Sequence, residues 1–190
     1  LGLLAGVVSL MGALELGAGP EIVTLPLLLA GLGIGALASQ LGAVTVSSVP
    51  DEQSPEVGGL QNTFTNLGAS VGTALAGAIL VSALTTSFFT GIQDNPAIPE
   101  TLTSKAQVEF AGGIQFIPDS DLEAALSKAG ITGDTAQAIM EENSQSRIAG
   151  LRAALAALAV LAIAALFSTG SLPTRQGQSD ADAKVPAGWS

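Results

Sequence analysis

The chain has 190 residues, of which 48% are hydrophobic and only 12% are charged; since a soluble domain usually carries about 25% charged residues, this composition predicts a protein of the lipid bilayer. Its net charge of −10 argues against nucleic acid as a partner, because phosphate contacts need a basic surface. It has neither cysteine nor histidine, so we expect no enzyme, no cofactor and no metal site.

Two apolar segments open the chain. The first, Leu1 to about Gly17, has no basic residues before it as a signal peptide would have. We expect it to be a truncated transmembrane helix, and the chain to be the C-terminal fragment of a longer membrane protein. The second, about Ile22 to Val46, is uncharged and long enough to cross about 30 Å of hydrocarbon at 1.5 Å per residue.

The third segment, about Pro55 to Leu84, overlaps most of the longest uncharged stretch, Val57–Gln93. Leucine and alanine dominate the apolar segments without strict alternation, which favours helices over barrel strands. A polar turn precedes this segment. We expect Ser54 to cap the helix and Pro55 to occupy its first position.

The fourth apolar segment, about Ala149 to Ser168, follows a long polar connection. That connection carries nine acidic and three basic side chains, a net charge of −6, and predicts helices at Thr103–Ala111, at Asp119–Ala129 and from Gly133 onward. We therefore predict an all-α, polytopic membrane fragment with about four transmembrane helices. Residues 1–84 hold three of them, 85–147 form a small helical extramembrane insert, 148–170 form the last helix, and 171–190 are a disordered tail.

Polar and small residues within the apolar segments are the candidates for function. Polar side chains at membrane depth either bond neighbouring helices or line an aqueous path, and both alternatives stay open for Gln40, Gln61, Asn62, Thr65 and Asn66. Small residues at four-residue spacing let helices approach closely, which predicts packing positions at Gly58, Gly68, Gly72 and Ala76. Aromatic rings favour the interfacial zone, which predicts surface anchors at Phe88, Phe89, Phe110 and Phe116.

The segment SSVPDEQSPEVGGLQNTFTNLGASVGTALAGAIL, residues 47–80, resembles the penultimate-helix region of the fourteen-helix drug:proton antiporters of the major facilitator superfamily. The shared elements are Pro50 in an acidic turn, the Gly58-Gly59 start, the Asn62-Thr63 pair, and Gly68 with Gly72. GLGIGALASQLGAVTVSSVP, residues 31–50, is similar to the preceding helix. Family members often have Arg-Gln after the Asn-Thr pair and arginine in the turn, where this chain has Thr65-Asn66 and no arginine.

The resemblance implies a multi-pass transporter of the cell membrane that exports drug-like or amphipathic compounds by proton antiport. It also implies a cytoplasmic C-terminus, a cytoplasmic turn at Ser47–Ser54 and an extracytoplasmic insert. Its partners would be the missing N-terminal helices, which carry the coupling carboxylate, and a small-molecule substrate with a proton. The alternative is a small structural or scaffolding membrane protein whose acidic insert binds a partner.

Overall fold

The computed structural model describes residues 1–15, 19–47, 49–109 and 117–169. Within these ranges the chain forms α-helices and one short 3₁₀ turn, Asp51–Gln53, without strands, which confirms the all-α prediction. The predicted tail, Phe110 and Phe116 lie outside the described residues. The helices are α1 Gly2–Ala13, α2 Pro20–Ser47, α3 Ser54–Asp94, α4 Glu100–Glu109, α5 Asp119–Lys128 and α6 Asp134–Thr169.

Three of these helices, α2, α3 and α6, are long and apolar enough to cross a membrane. The first predicted segment corresponds to α1, which has only 12 residues. Few residues in the most apolar windows of α2 and α3 are buried, 6% in each. Their large apolar side chains therefore face outward, as they would toward lipid or toward further helices.

The helix α3 is longer than a membrane is thick. Its 41 residues rise about 62 Å at 1.5 Å per residue, roughly twice the hydrocarbon thickness of about 30 Å. It continues ten residues beyond Leu84, where the predicted apolar segment ends, and α6 begins 15 residues before Ala149. The insert predicted at 85–147 is therefore built partly on the projecting ends of two long helices.

The apolar helices pack as two antiparallel pairs. In the α1–α2 pair, the backbone of Gly6 lies against Ala30 and that of Gly33 against Leu3. In the α3–α6 pair, Gly150 of α6 lies against Leu80 and Leu84 of α3. In both pairs a glycine permits close backbone approach, which provides van der Waals packing between helices in lipid.

The projecting ends of α3 and α6, together with α4 and α5, form a cap. A small core at its centre joins three buried residues, Ile92, Ile98 and Ala138. The rings of Phe88 and Phe89 pack edge to face, 6.1 Å apart, and lie against this core. They are thus part of the cap, and their role as interface anchors stays a prediction.

Two predicted helix ends have different outcomes. Ser54 is not the cap of α3: the N-cap is Gln53, without a side-chain hydrogen bond, because the 3₁₀ turn continues directly into the helix. The predicted stop of α5 at Gly130 is confirmed. Gly130 has φ +73°, and the amide of Ile131 donates to the carbonyl of Leu126 at 3.0 Å, the pattern of a Schellman motif.

Candidate functional site

Asn62 and Asn66 lie one turn apart on the uncharged part of α3. The side-chain amide of Asn66 donates to the Asn62 backbone carbonyl at 3.0 Å and to its side-chain oxygen at 3.3 Å. Both side chains are exposed. Because only part of each carboxamide's capacity is used within the helix, each retains hydrogen-bonding groups for a partner outside it.

The other predicted polar residues are spread over different surfaces. Thr65 is exposed, and its hydroxyl donates to the Gln61 carbonyl at 2.9 Å. Gln61 is partly buried on the side facing α2, where its side-chain nitrogen lies 4.0 Å from the Cβ position of Gly42. Gln40 lines a separate apolar groove between α1 and α2. The structure therefore brings Asn62 and Asn66 together and leaves Gln40 elsewhere.

A groove of about 500 Å³ separates α3 from α6. Its walls are almost entirely apolar or small side chains, with the hydroxyl of Thr73 as the one polar side chain among the residues that line it. We call it the α3–α6 groove. It is lined by Ala69, Gly72, Thr73, Ala76, Gly77, Leu80, Ala154 and Leu158.

The α3–α6 pair is closed at one end of the groove and open at Gly72. At the closed end, a Cβ on Gly150 would stand 2.9 Å from the carbonyl oxygen of Leu80. At Gly72 a Cβ would meet nothing within 4 Å, so the two helices have separated there. Residues 62, 66, 69, 73, 76 and 80 are spaced by four and three, which places them on one face of α3.

The four residues predicted to pack helices differ in their surroundings. Gly72 and Ala76 line the α3–α6 groove. Gly58 and Gly68 meet no atom within 4 Å of their Cβ positions, and neither does Gly72. In the described part of this chain, no helix comes close to these three glycines. Their role in helix packing stays a prediction.

Sequence reasoning missed the α6 side of this site. Gly150, which closes the groove, and Ala154, which lines it, are spaced by four residues. This is the same small-residue spacing that drew attention to α3. The signal was present in the sequence, but it became informative only once α3 and α6 were known to be neighbours.

The chemistry of the groove suits a ligand with an apolar body and a polar end. Small side chains leave room for an apolar group, and the carboxamides of Asn62 and Asn66 offer both donors and acceptors beyond the groove. Ligand sites are typically apolar concavities with a few polar groups that fix orientation. No ionisable side chain is among the residues that line it, so recognition there would not depend on a charge of the protein.

Comparison of the chain with known protein families, curated proteins and solved structures finds no significant match. Three features bear on function: the groove, the polar pair on the same face of α3, and the resemblance carried by residues 31–80.

Proposed function

We propose that this chain belongs to a secondary active transporter of the cell membrane that exports drug-like or amphipathic compounds by proton antiport. The observation that carries the proposal is the α3–α6 groove with two carboxamides on the same face of α3. An amphipathic compound would place its apolar body in the groove and its polar group against Asn62 and Asn66. The resemblance of residues 31–80 to drug:proton antiporters supports the same function.

The exposed apolar faces of α2 and α3 agree with this proposal. Secondary transporters alternate access by moving one group of helices against another around a central site. A helix in such a bundle needs neighbours or lipid on every side, and α2 and α3 have large apolar side chains available for both. In the proposed transporter, proton coupling belongs to carboxylates on other helices, since Val57–Gln93 is uncharged.

The Asn62–Asn66 pair provides the test. The gene that encodes this chain would be expressed in cells that lack their own drug pumps, and the retention of a panel of fluorescent cationic and neutral dyes would be measured. We expect Asn66→Ala to change which dyes are exported, because it removes a carboxamide from the groove face. Membrane abundance should stay nearly unchanged, since one intramembrane hydrogen bond contributes only about 0.6 kcal/mol on average.

Thr63→Val is the matched control. Thr63 adjoins Asn62 in sequence, is exposed, and uses its hydroxyl within the helix, donating to the Gly59 carbonyl at 3.0 Å. We expect the dye profile of this variant to match that of the unchanged protein. Equal profiles for Asn66→Ala and Thr63→Val would show that the pair only stabilises the helix, and the substrate role would be wrong.

The cap supports a second candidate function, in which the chain captures a partner outside the membrane. It has its own core, and it presents α5 with four exposed or half-exposed charged side chains on one short helix. This function predicts that Glu123→Lys releases a partner that can be cross-linked to the full chain in cells, with dye export unaffected. A partner that remains bound to this variant would contradict it.

A further inference from the structure

Charged residues mark one edge of the apolar helices. Glu15 follows the end of α1, and Glu21 lies at the start of α2. Arg152 is the last charged residue in α6 before residues 153–169, which are uncharged. These 17 residues rise about 25 Å, close to the thickness of the hydrocarbon layer. Glu15 and Arg152 therefore lie where the hydrocarbon region gives way to lipid headgroups.

Glu15 and Arg152 line the same pocket. It has a volume of about 430 Å³ and lies between the end of α1 and the middle of α6. Polar groups line part of it and apolar side chains the rest. We call it the α1–α6 pocket, and its walls are Leu14, Glu15, Gln145, Ile148, Ala149 and Arg152.

Two polar side chains of this pocket, Arg152 and Gln145, make hydrogen bonds to the protein that use only part of their capacity. The guanidinium of Arg152 donates to the backbone carbonyl of Leu14, the C-cap of α1, where a helix has unsatisfied carbonyls and a partial negative charge. The side-chain nitrogen of Gln145 donates to Glu141 at 3.3 Å, so its amide oxygen stays available as an acceptor.

The two opposite charges do not form an ion pair with each other. Among the described residues the ion pair is that of Arg147 with Asp119, at 2.9 Å, and Glu15 and Arg152 share a pocket without forming another. A carboxylate and a guanidinium kept apart in this way complement a ligand that itself carries both charges. Phospholipid headgroups with a phosphate and an ammonium are such ligands, and they occupy this level of the membrane.

We propose that the α1–α6 pocket binds the headgroup of a phospholipid of the phosphatidylethanolamine type. The phosphate lies against Arg152, whose planar donors suit phosphate oxygens. The primary ammonium donates to the Glu15 carboxylate and to the amide oxygen of Gln145. Ile148 and Ala149 contact the first carbons of the lipid. This site is independent of the transport proposed above, because it shares no residue with the α3–α6 groove.

The choice of headgroup follows from hydrogen bonding. A primary ammonium has three N–H donors, whereas the trimethylammonium of phosphatidylcholine has none. Phosphatidylglycerol offers the phosphate without any cation, and its negative charge is repelled by Glu15. The pocket should therefore prefer phosphatidylethanolamine to both of the other lipids.

Native mass spectrometry of the full chain, released from nanodiscs that contain one of the three lipids in turn, tests the site. We expect retained phosphatidylethanolamine to exceed either other lipid, and to fall roughly tenfold or more in Arg152→Gln, because the variant loses the charge-assisted hydrogen bonds to the phosphate. Glu15→Gln should remove the preference over phosphatidylcholine. Lys105→Gln, which changes an exposed cation of the cap, should leave retention unchanged.

Glu15→Gln keeps the experiment decisive if Arg152→Gln fails to fold. Glu15 makes no hydrogen bond or ion pair among the described residues, so this substitution leaves the packing intact. Equal retention of phosphatidylethanolamine and phosphatidylcholine by the unchanged chain would overturn the proposal. So would a preference for phosphatidylglycerol, which would indicate attraction by Arg152 alone, or a preference that survives Glu15→Gln.

Discussion

Gly150 and Gly72 show how two glycines on the same helix pair have different roles. At Gly150, an added Cβ would stand 2.9 Å from the Leu80 carbonyl oxygen and 3.1 Å from the Leu84 Cβ. Leu84 is among the most buried residues of the described chain, at 1% exposure. At Gly72 the corresponding position is open. Gly150 therefore sets the distance between α3 and α6, and Gly72 leaves the space that forms the groove.

Substitution of these glycines should separate the two roles. Gly150→Val places a branched side chain against backbone, and such overpacking costs about 1–3 kcal/mol. We expect the thermal unfolding midpoint of the full chain in nanodiscs to fall for this variant. Gly72→Ala is the matched control and should leave the midpoint nearly unchanged. An equal fall for both would mean that α3 and α6 are in close contact along their whole length.

The Asp119 carboxylate connects α5 to α6 through an ion pair and hydrogen bonds. The carboxylate forms the ion pair with Arg147 at 2.9 Å and accepts from Asn143 and Ser144 at 3.3 and 3.4 Å. Asn143 is 3% exposed, and Arg147 also donates to the carbonyl of Ile117. Loss of the carboxylate would leave a nearly buried amide and a guanidinium short of acceptors.

Asp119→Ala should lower the free energy of opening of α5 by about 1–2 kcal/mol, the range for hydrogen bonds to a charged group with partial exposure. Hydrogen exchange of the α5 backbone amides measures this quantity. Asp121→Ala provides the control, because it removes an acidic residue from the same first turn without breaking a contact to α6. Equal acceleration of exchange in both variants would mean that the loss of a negative charge near the N-terminus of α5 causes the change. It would contradict a specific role for the contacts between Asp119 and α6.

At the scale of elements, α3 is both a membrane span and a support for the cap. It begins at the turn 49–53, crosses the apolar layer, and projects to Asp94. There, a side-chain amide of Asn95 donates to Glu142 of α6 at 3.0 Å, and Thr103 of α4 donates to the carbonyl of Ile92. Because α3 is one continuous helix, the turn and the cap must lie on opposite sides of a membrane that it crosses.

The absence of cysteine from the sequence makes this topology easy to test. Single substitutions Gln53→Cys, in the turn, and Ser127→Cys, on the exposed side of α5, would be labelled with a maleimide that does not cross membranes. We predict that only Ser127→Cys reacts in intact cells and that Gln53→Cys reacts once the membrane is opened. Labelling of both from the same side would exclude α3 as a single span, and the reverse pattern would contradict the orientation that the resemblance implies.

At the scale of the whole molecule, local sequence patterns predicted the helices but not which helices contact each other. The apolar segments, the stop of α5 at Gly130 and the polar residues of α3 follow from periodicity and turn chemistry, which act over a few residues. The pairing of α3 with α6 and the burial of Phe88 and Phe89 depend on residues far apart in sequence. Periodicity predicts which residues form a face but not which helix covers it, and this is why Gly150 was missed.

The whole molecule thus combines a cap, a tight α1–α2 pair and an α3–α6 pair that opens into a groove. Most residues in the apolar windows of α2 and α3 are unburied, so their outer faces need lipid or other helices. The proposed transporter requires the groove to be reachable from both sides of the membrane in turn. Small side chains along α3 would allow such movement, because they impose little interlocking between neighbouring helices.

Proton-driven dye accumulation in everted membrane vesicles is the most direct test of the proposed transport. Vesicles from cells that express the gene encoding this chain would be energised to an acid interior, and ethidium uptake would be followed by fluorescence. We predict uptake against the dye gradient, collapse of that uptake when nigericin removes the pH gradient, and reduced or altered uptake in Asn66→Ala. Uptake no higher than in vesicles without the chain, or uptake that survives nigericin, would contradict proton-coupled export.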